Sequence, residues 1–355
     1  MRIEQLTFTR FIAALAIVIY HFGAEIFPFN NDNVRFLVKN AHVGVSYFFV
    51  LSGFIMIVAY NRLDKINAAD YLKNRFARVY PLMAISVIPY LFALFLFPGK
   101  VKIWDIFLNL FTIQAWIPGK ATAGNYPLWS LTVEIFFYVC FPFLINKIYK
   151  KYSLTNVAVC VVLFWAVSIG LQFYLENSPF YEGSMTPSHD LIYYFPPMHL
   201  NQFLIGNLAG LAVVNQAQGV KRRYDVLVLI PLIIIGLFFK YPFGVSYHNG
   251  FLAWFFAAFI ILFAQNTGII TKIFSVKPLV FLGEISFAMY ILQAPVFETS
   301  TKLIEKLKLT DNTSAIFYFN LVLLLAVSAF CHIYVELPLR NRIKNIRLKP
   351  VLKES

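Results

Sequence analysis

The chain has 355 residues, of which 59% are hydrophobic and only 13% charged, with a mean hydropathy of +0.69. A soluble domain carries about 25% charged residues, and no water-soluble core of this size hides so much apolar side chain. A soluble globular fold is therefore excluded, and lipid is the remaining solvent. The net charge of +13, from 30 Lys and Arg against 17 Asp and Glu, fits basic loops on one side of a bilayer and gives no reason to expect nucleic acid.

A spanning helix needs about 20 predominantly apolar residues. In chain order the stretches 6–27, 42–60, 79–97, 127–146, 154–175, 199–215, 225–240, 249–266, 278–298 and 314–335 qualify, so the expected fold is an all-α polytopic membrane protein with about ten transmembrane helices. The apolar stretch 103–117, between the third and fourth, is too short to cross and is expected as a re-entrant or interfacial helix. With the N-terminus placed in the cytoplasm, 21 of the 30 Lys and Arg residues fall inside and nine outside. This favours ten spans with both ends cytoplasmic. Residues 1–340 read as one integral membrane domain and 341–355 as a basic cytoplasmic tail drawn to anionic membrane lipids. Arg10 interrupts the first apolar run, so no cleavable leader is expected. The three cysteines, Cys140, Cys160 and Cys331, lie in apolar stretches without metal-ligand spacing, and no metal is expected. The longest outer loop, 176–198, has four prolines and five Tyr or Phe residues; it reads either as a cover for a cavity mouth or as an interfacial aromatic belt.

Ionisable groups inside a span are costly and default to functional candidates. Arg10 and His21 in the first span are eleven residues apart, close to three helical turns, which puts both on one face of a regular helix. Glu134 falls about 9–10 Å into the fourth span at the rise of an α-helix, at a depth similar to that of His21. An imidazole and a carboxylate at one level suit a base whose ring is oriented by the acid; an ion pair of Glu134 with Arg10 or His21 is the structural alternative. Ser52, followed by Gly53, offers either a hydroxyl beside a close backbone approach or a small-residue helix contact. Arg75 and Arg78, three apart, would share a helix face and clamp phosphate, or else simply set topology. Tyr290, deep in the ninth span, needs a hydrogen-bond partner from another helix or from a ligand.

Taken in order, six groups of residues resemble the membrane-bound acyltransferase 3 family. They are Arg10 with His21; residues 48–54; Arg75 and Arg78 followed by Tyr80 and Pro81; Trp129, Ser130 and Leu131 with Glu134; Gly283 with Ser286 and Tyr290; and Glu336 with Pro338 and Arg340. The resemblance implies a ten-helix inner-membrane enzyme that moves an acyl group, usually acetyl, from coenzyme A to a sugar hydroxyl. Acceptors in the family include exopolysaccharide, lipopolysaccharide O-antigen and peptidoglycan; a lipid-linked glycan is a further expected acceptor, with polysaccharide-synthesis proteins as further partners. The resemblance makes His21 the catalytic histidine with Arg10 its motif partner, matches Arg75 and Arg78 to a cytoplasmic Arg-x-x-Arg, and matches Glu134 to the acidic position of the Trp-Ser-Leu segment. With the residue reading, His21 and Glu134 are the expected catalytic pair and Arg10, Arg75, Arg78, Ser52 and Tyr290 the expected donor-binding residues. Some members carry an appended hydrolase-like domain; none is read here, so transfer alone or hand-over to a partner is expected. Two routes remain open: direct attack of the sugar on the thioester, or a transient acyl-His21. The competing expectation is a non-enzymatic exporter or flippase of polysaccharide or lipid-linked sugar.

Overall fold

The computed structural model describes residues 3–96, 102–215 and 222–346. Among these residues the chain forms fifteen α-helices and no β-strand. They are α1 (Glu4–Val18), α2 (Asp32–Lys39), α3 (Gly44–Tyr60), α4 (Ala68–Leu96), α5 (Ile103–Leu110), α6 (Leu128–Phe143), α7 (Leu154–Glu176), α8 (Pro187–Tyr193), α9 (Leu200–Val214), α10 (Asp225–Lys240), α11 (Ala253–Gln265), α12 (Ile269–Phe274), α13 (Lys277–Lys306), α14 (Thr313–Cys331) and α15 (Leu337–Asn345). The protein is an all-α, multi-pass membrane protein.

Among the described residues seven helical segments are long and apolar enough to cross a membrane. The expected count of ten is not reached, because α9, α10 and α11 have only 15, 16 and 13 residues. α10 fills its whole expected run and α9 all but the end residues of its own, so these runs are themselves short, while α11 starts only at Ala253 of the run 249–266. Pro196–His199 forms a tight 3₁₀ turn ahead of α9, where the fixed φ of two successive prolines suits such a turn. α5 has eight residues, about 12 Å of helix, and exposes Ile103, Trp104 and Phe107; it fits an interfacial position and cannot span. The segment read as a basic tail begins inside α15, and residues 347–355 lie outside those described.

Three helices end in wide π turns: Ile19–Gly23 after α1, Leu144–Tyr149 after α6 and His332–Glu336 after α14. Such turns insert a residue into the helical register and often sit at functional sites. Here they carry His21, His332 and Glu336. Two glycine contacts then draw the spans together. A Cβ on Gly206 of α9 would run into the Val50 carbonyl of α3, and one on Gly53 of α3 would meet the Phe203 carbonyl. Likewise a Cβ on Gly283 of α13 would strike the Thr7 carbonyl of α1. In lipid, where no water drives helices together, this backbone approach supplies the packing. The pairs α3–α9 and α1–α13 form two walls around the interior.

Candidate active site

A cavity of about 470 Å³ opens between α1, α3, α4, α6, α13 and α15. Arg10 enters it from α1, Arg75 and Arg78 from α4, and Arg340 from α15. Both α4 arginines are helical, since α4 starts at Ala68, eleven residues before the expected span. Arg75 is the best held. Its guanidinium lies 5.5–5.8 Å from the ring centroids of Tyr60, Tyr71 and Tyr138 and donates to the Tyr60 hydroxyl at 3.0 Å. Its Nε, however, is buried without a partner, and so is Nε of Arg340. Buried donors left unpaired cost free energy, and two of them facing one cavity point to an anion that completes them.

Three carboxylates line the same cavity. Glu134 accepts from the Tyr138 hydroxyl at 2.5 Å and from Ser52 at 3.2 Å. Glu336 faces His332 at 2.8 Å and Arg340 at 3.8 Å. Glu284 is the third. The cavity thus sets four guanidinium groups against three carboxylates. At its far end the Tyr290 hydroxyl meets Ser130 at 2.8 Å, with Phe48 against the Tyr290 ring at 5.9 Å.

His21 is not part of that lining. It is exposed, within the π turn at the other end of α1. Its Nδ1 faces Oε1 of fully buried Gln293 at 2.9 Å, and Nε2 of Gln293 donates to the Tyr290 carbonyl at 2.7 Å. Tyr126 packs edge-on against the imidazole at 4.9 Å. The arginine cavity and His21 thus meet α13 one turn apart, at Tyr290 and at Gln293, three residues along the same face of the helix.

This arrangement corrects two expectations. Glu134 does not take the place beside His21; it is held by Ser52 and Tyr138, and the imidazole partner is Gln293. Equal depth fixes one coordinate of three and leaves lateral position open. Nor is α1 regular as far as His21: the π turn starts at Ile19, so the 100° periodicity behind the Arg10–His21 spacing stops short of it, and the cavity that Arg10 lines does not include His21. Arg10, Ser52, Arg75, Arg78, Glu134 and Tyr290 do line one cavity. The residues that sequence reading missed are Gln293, and Arg340 and His332 as cavity groups. The signal for Gln293 was a lone amide in an apolar run, three residues after Tyr290. Among the described residues no cluster of His, Cys, Asp or Glu is arranged to hold a metal.

The structure is thus an all-helical membrane protein with an arginine-lined cavity and, one turn further along α13, an exposed histidine held by a buried amide. The chain belongs to the acyltransferase family whose model, described as an acyltransferase domain, matches residues 3–333. Among curated proteins it is similar to the acyltransferase MdmB of Streptomyces mycarofaciens, 28% identical over 65% of this chain and 65% of that one. It is also similar to the O-acetyltransferase OatA of Staphylococcus aureus, 23% identical over 94% of this chain and 56% of that one. The peptidoglycan O-acetyltransferase OatA of Listeria monocytogenes is 22% identical over 83% of this chain and 49% of that one. The chain therefore spans about half to two-thirds of the length of these relatives. No solved structure matches.

Proposed function

We propose that the protein transfers an acyl group, acetyl by preference, from acyl-CoA to a hydroxyl of a cell-surface or exported saccharide. The observation that carries this reading is a cavity with four arginines and two unpaired Nε donors that reaches Tyr290, one turn of α13 from the Gln293 that holds an exposed histidine. The family supports acyl transfer, and the OatA relatives support acetyl and a glycan. On this reading the donor enters at the cytoplasmic end of an inner-membrane protein whose termini are both cytoplasmic. Arg75, Arg78, Arg10 and Arg340 hold its phosphates, and Ser52 and Tyr290 flank its pantetheine arm.

The thioester passes Tyr290 and Ser130 to reach His21. There Nε2 of His21 takes the proton of the sugar hydroxyl as its oxygen attacks the thioester carbonyl carbon. The C–S bond breaks, the thiolate leaves, and the imidazolium returns the proton to sulfur. A transient acyl-His21 is the two-step form of the same transfer. In both, Glu134 shapes the donor cavity through Ser52 and Tyr138.

The deciding experiment pairs acetyl-CoA binding to purified protein with mass spectrometry of cell-surface glycans. Arg75→Ala/Arg78→Ala is expected to abolish binding and glycan acetylation together. His21→Ala is expected to keep binding and lose acetylation. Absence of acetyl-CoA binding to the unaltered protein would favour an exporter, and glycan acetylation persisting in a folded His21→Ala protein would sink both routes through His21.

A further inference from the structure

Beyond His21, on the face away from the arginine cavity, rings continue in an unbroken series. Tyr20 lies 5.2 Å from the His21 ring and 5.3 Å from His42. His42 stacks on His248 at 5.8 Å, which stacks in turn on Trp129 at 5.4 Å. His248 also meets Tyr193 at 5.5 Å, and Tyr193 stacks on His189 at 4.3 Å. The direction follows from the helices. α1 runs from Arg10 to His21, and α3 starts beside His42 and ends at Tyr60, the partner of Arg75.

We propose that the outer end of this ladder is a saccharide-binding platform, on which pyranose rings of the acceptor stack over Tyr193 and His189 and bring one hydroxyl to His21. The inference deepens the acyl-transfer reading and rests on it. Rings packed only for stability would be closed over, as His199 is: it is fully buried, with Gln202 and the Tyr193 carbonyl on its two nitrogens. His42, His189, Tyr193 and His248 are instead only partly buried. The pyranose C–H face is weakly positive and suits the negative face of an aromatic ring, while hydroxyls and ring nitrogens at the edges serve the sugar hydroxyls. Burial holds the His189 imidazole below its ordinary pKa, and burial together with the neighbouring His199 and His42 does so for His248, leaving both rings uncharged near neutrality.

The segment is also fixed in advance. Thr186 caps α8 by accepting from His189 N at 3.2 Å, Asp190 accepts from Ala121 N at 3.0 Å, and Asn249 donates to the Ile192 carbonyl. A loop already ordered loses little freedom on binding, so each stacked ring contributes in full.

The test uses cells in which the full chain, unaltered or substituted, replaces its own copy. Glycan-bound acetyl is measured after alkaline release, and acetyl-CoA binding is measured on the purified protein. His189→Ala/Tyr193→Ala is expected to lower glycan acetyl about tenfold or more, at a few-fold per stacked ring, with acetyl-CoA affinity unchanged. Tyr193→Phe is expected to retain most acetylation, because it keeps the ring. Should the double variant lose donor binding through misfolding, Tyr193→Leu, which keeps bulk without a ring, is the second arm and is expected to fall as well. Full acetylation in the folded double variant or in Tyr193→Leu, while His21→Ala abolishes it, would overturn the platform alone. Acetylation persisting in His21→Ala would overturn the underlying reading.

Discussion

The amide of Gln293 decides where the proton of His21 sits. Its Nε2 is committed to the Tyr290 carbonyl at 2.7 Å, so the oxygen must face the imidazole, and at 2.9 Å it accepts from Nδ1–H. The neutral ring then carries its lone pair on Nε2, the nitrogen a general base uses. The arrangement performs with an uncharged amide what a carboxylate does beside many catalytic histidines.

Gln293→Ala should therefore lower kcat about 10- to 100-fold, the usual effect of losing an orienting partner, while the Kd for acetyl-CoA stays constant. Gln293→Asn, one methylene shorter, should retain more turnover than Gln293→Ala but less than the unaltered chain. Steady-state kinetics beside donor titration checks both, and an equal loss of binding in the two variants would assign Gln293 to scaffold instead.

Arg75 should be irreplaceable by lysine. Three tyrosine rings and the Tyr60 hydroxyl present its planar guanidinium to the cavity, and an ammonium has neither the fork nor the flat face. Arg75→Ala is expected to weaken acetyl-CoA about 10- to 100-fold, the worth of a charge-assisted hydrogen bond, with Arg75→Lys recovering only part. Calorimetric titration would show it.

Tyr290 and Ser130 close the end of the cavity nearest His21. Tyr290→Ala should widen that passage and shift donor preference from acetyl-CoA towards butyryl-CoA by about tenfold, the scale at which a pocket senses methylene groups. Competition between the two donors, read by mass spectrometry of the product, measures the ratio. An unchanged ratio would move the acyl-sensing wall elsewhere.

Gly206→Ala puts a methyl against the Val50 carbonyl. Overpacking of this kind costs about 1–3 kcal/mol, and neither backbone can yield without parting α3 from α9. A lowered Tm in detergent is expected, with activity falling alongside. Gly236→Ala, where a Cβ meets nothing, should be silent in the same assay.

The sequence revealed those properties that depend on one coordinate at a time. Hydropathy located the spans, and charge counting grouped Arg10, Arg75 and Arg78, which do line one cavity. It misjudged what depends on register and on lateral position. The Arg10–His21 spacing assumed a regular helix through residue 21, whereas the π turn begins at Ile19. Pairing Glu134 with His21 used depth alone, whereas Glu134 is held by Ser52 and Tyr138 and His21 by Gln293. Gln293 escaped because a search for charged groups in lipid passes over a neutral amide, although an amide in mid-membrane needs partners as surely as a charge does. α9 and α10 match their apolar runs and fell short because those runs are only about 16 residues long, below the roughly 20 a span needs, while α11 begins four residues into its run.

The π turn at Ile19–Gly23 stores one surplus residue inside an otherwise ordinary helix. Removing a single residue there would let α1 run on as a uniform helix, equally apolar and equally able to insert, with its imidazole swung about 100° away from Gln293. Such a chain would reach the membrane in normal amount and yet be catalytically blank. In this protein the difference between an anchor and an enzyme can be one residue of length, invisible to any measure of composition.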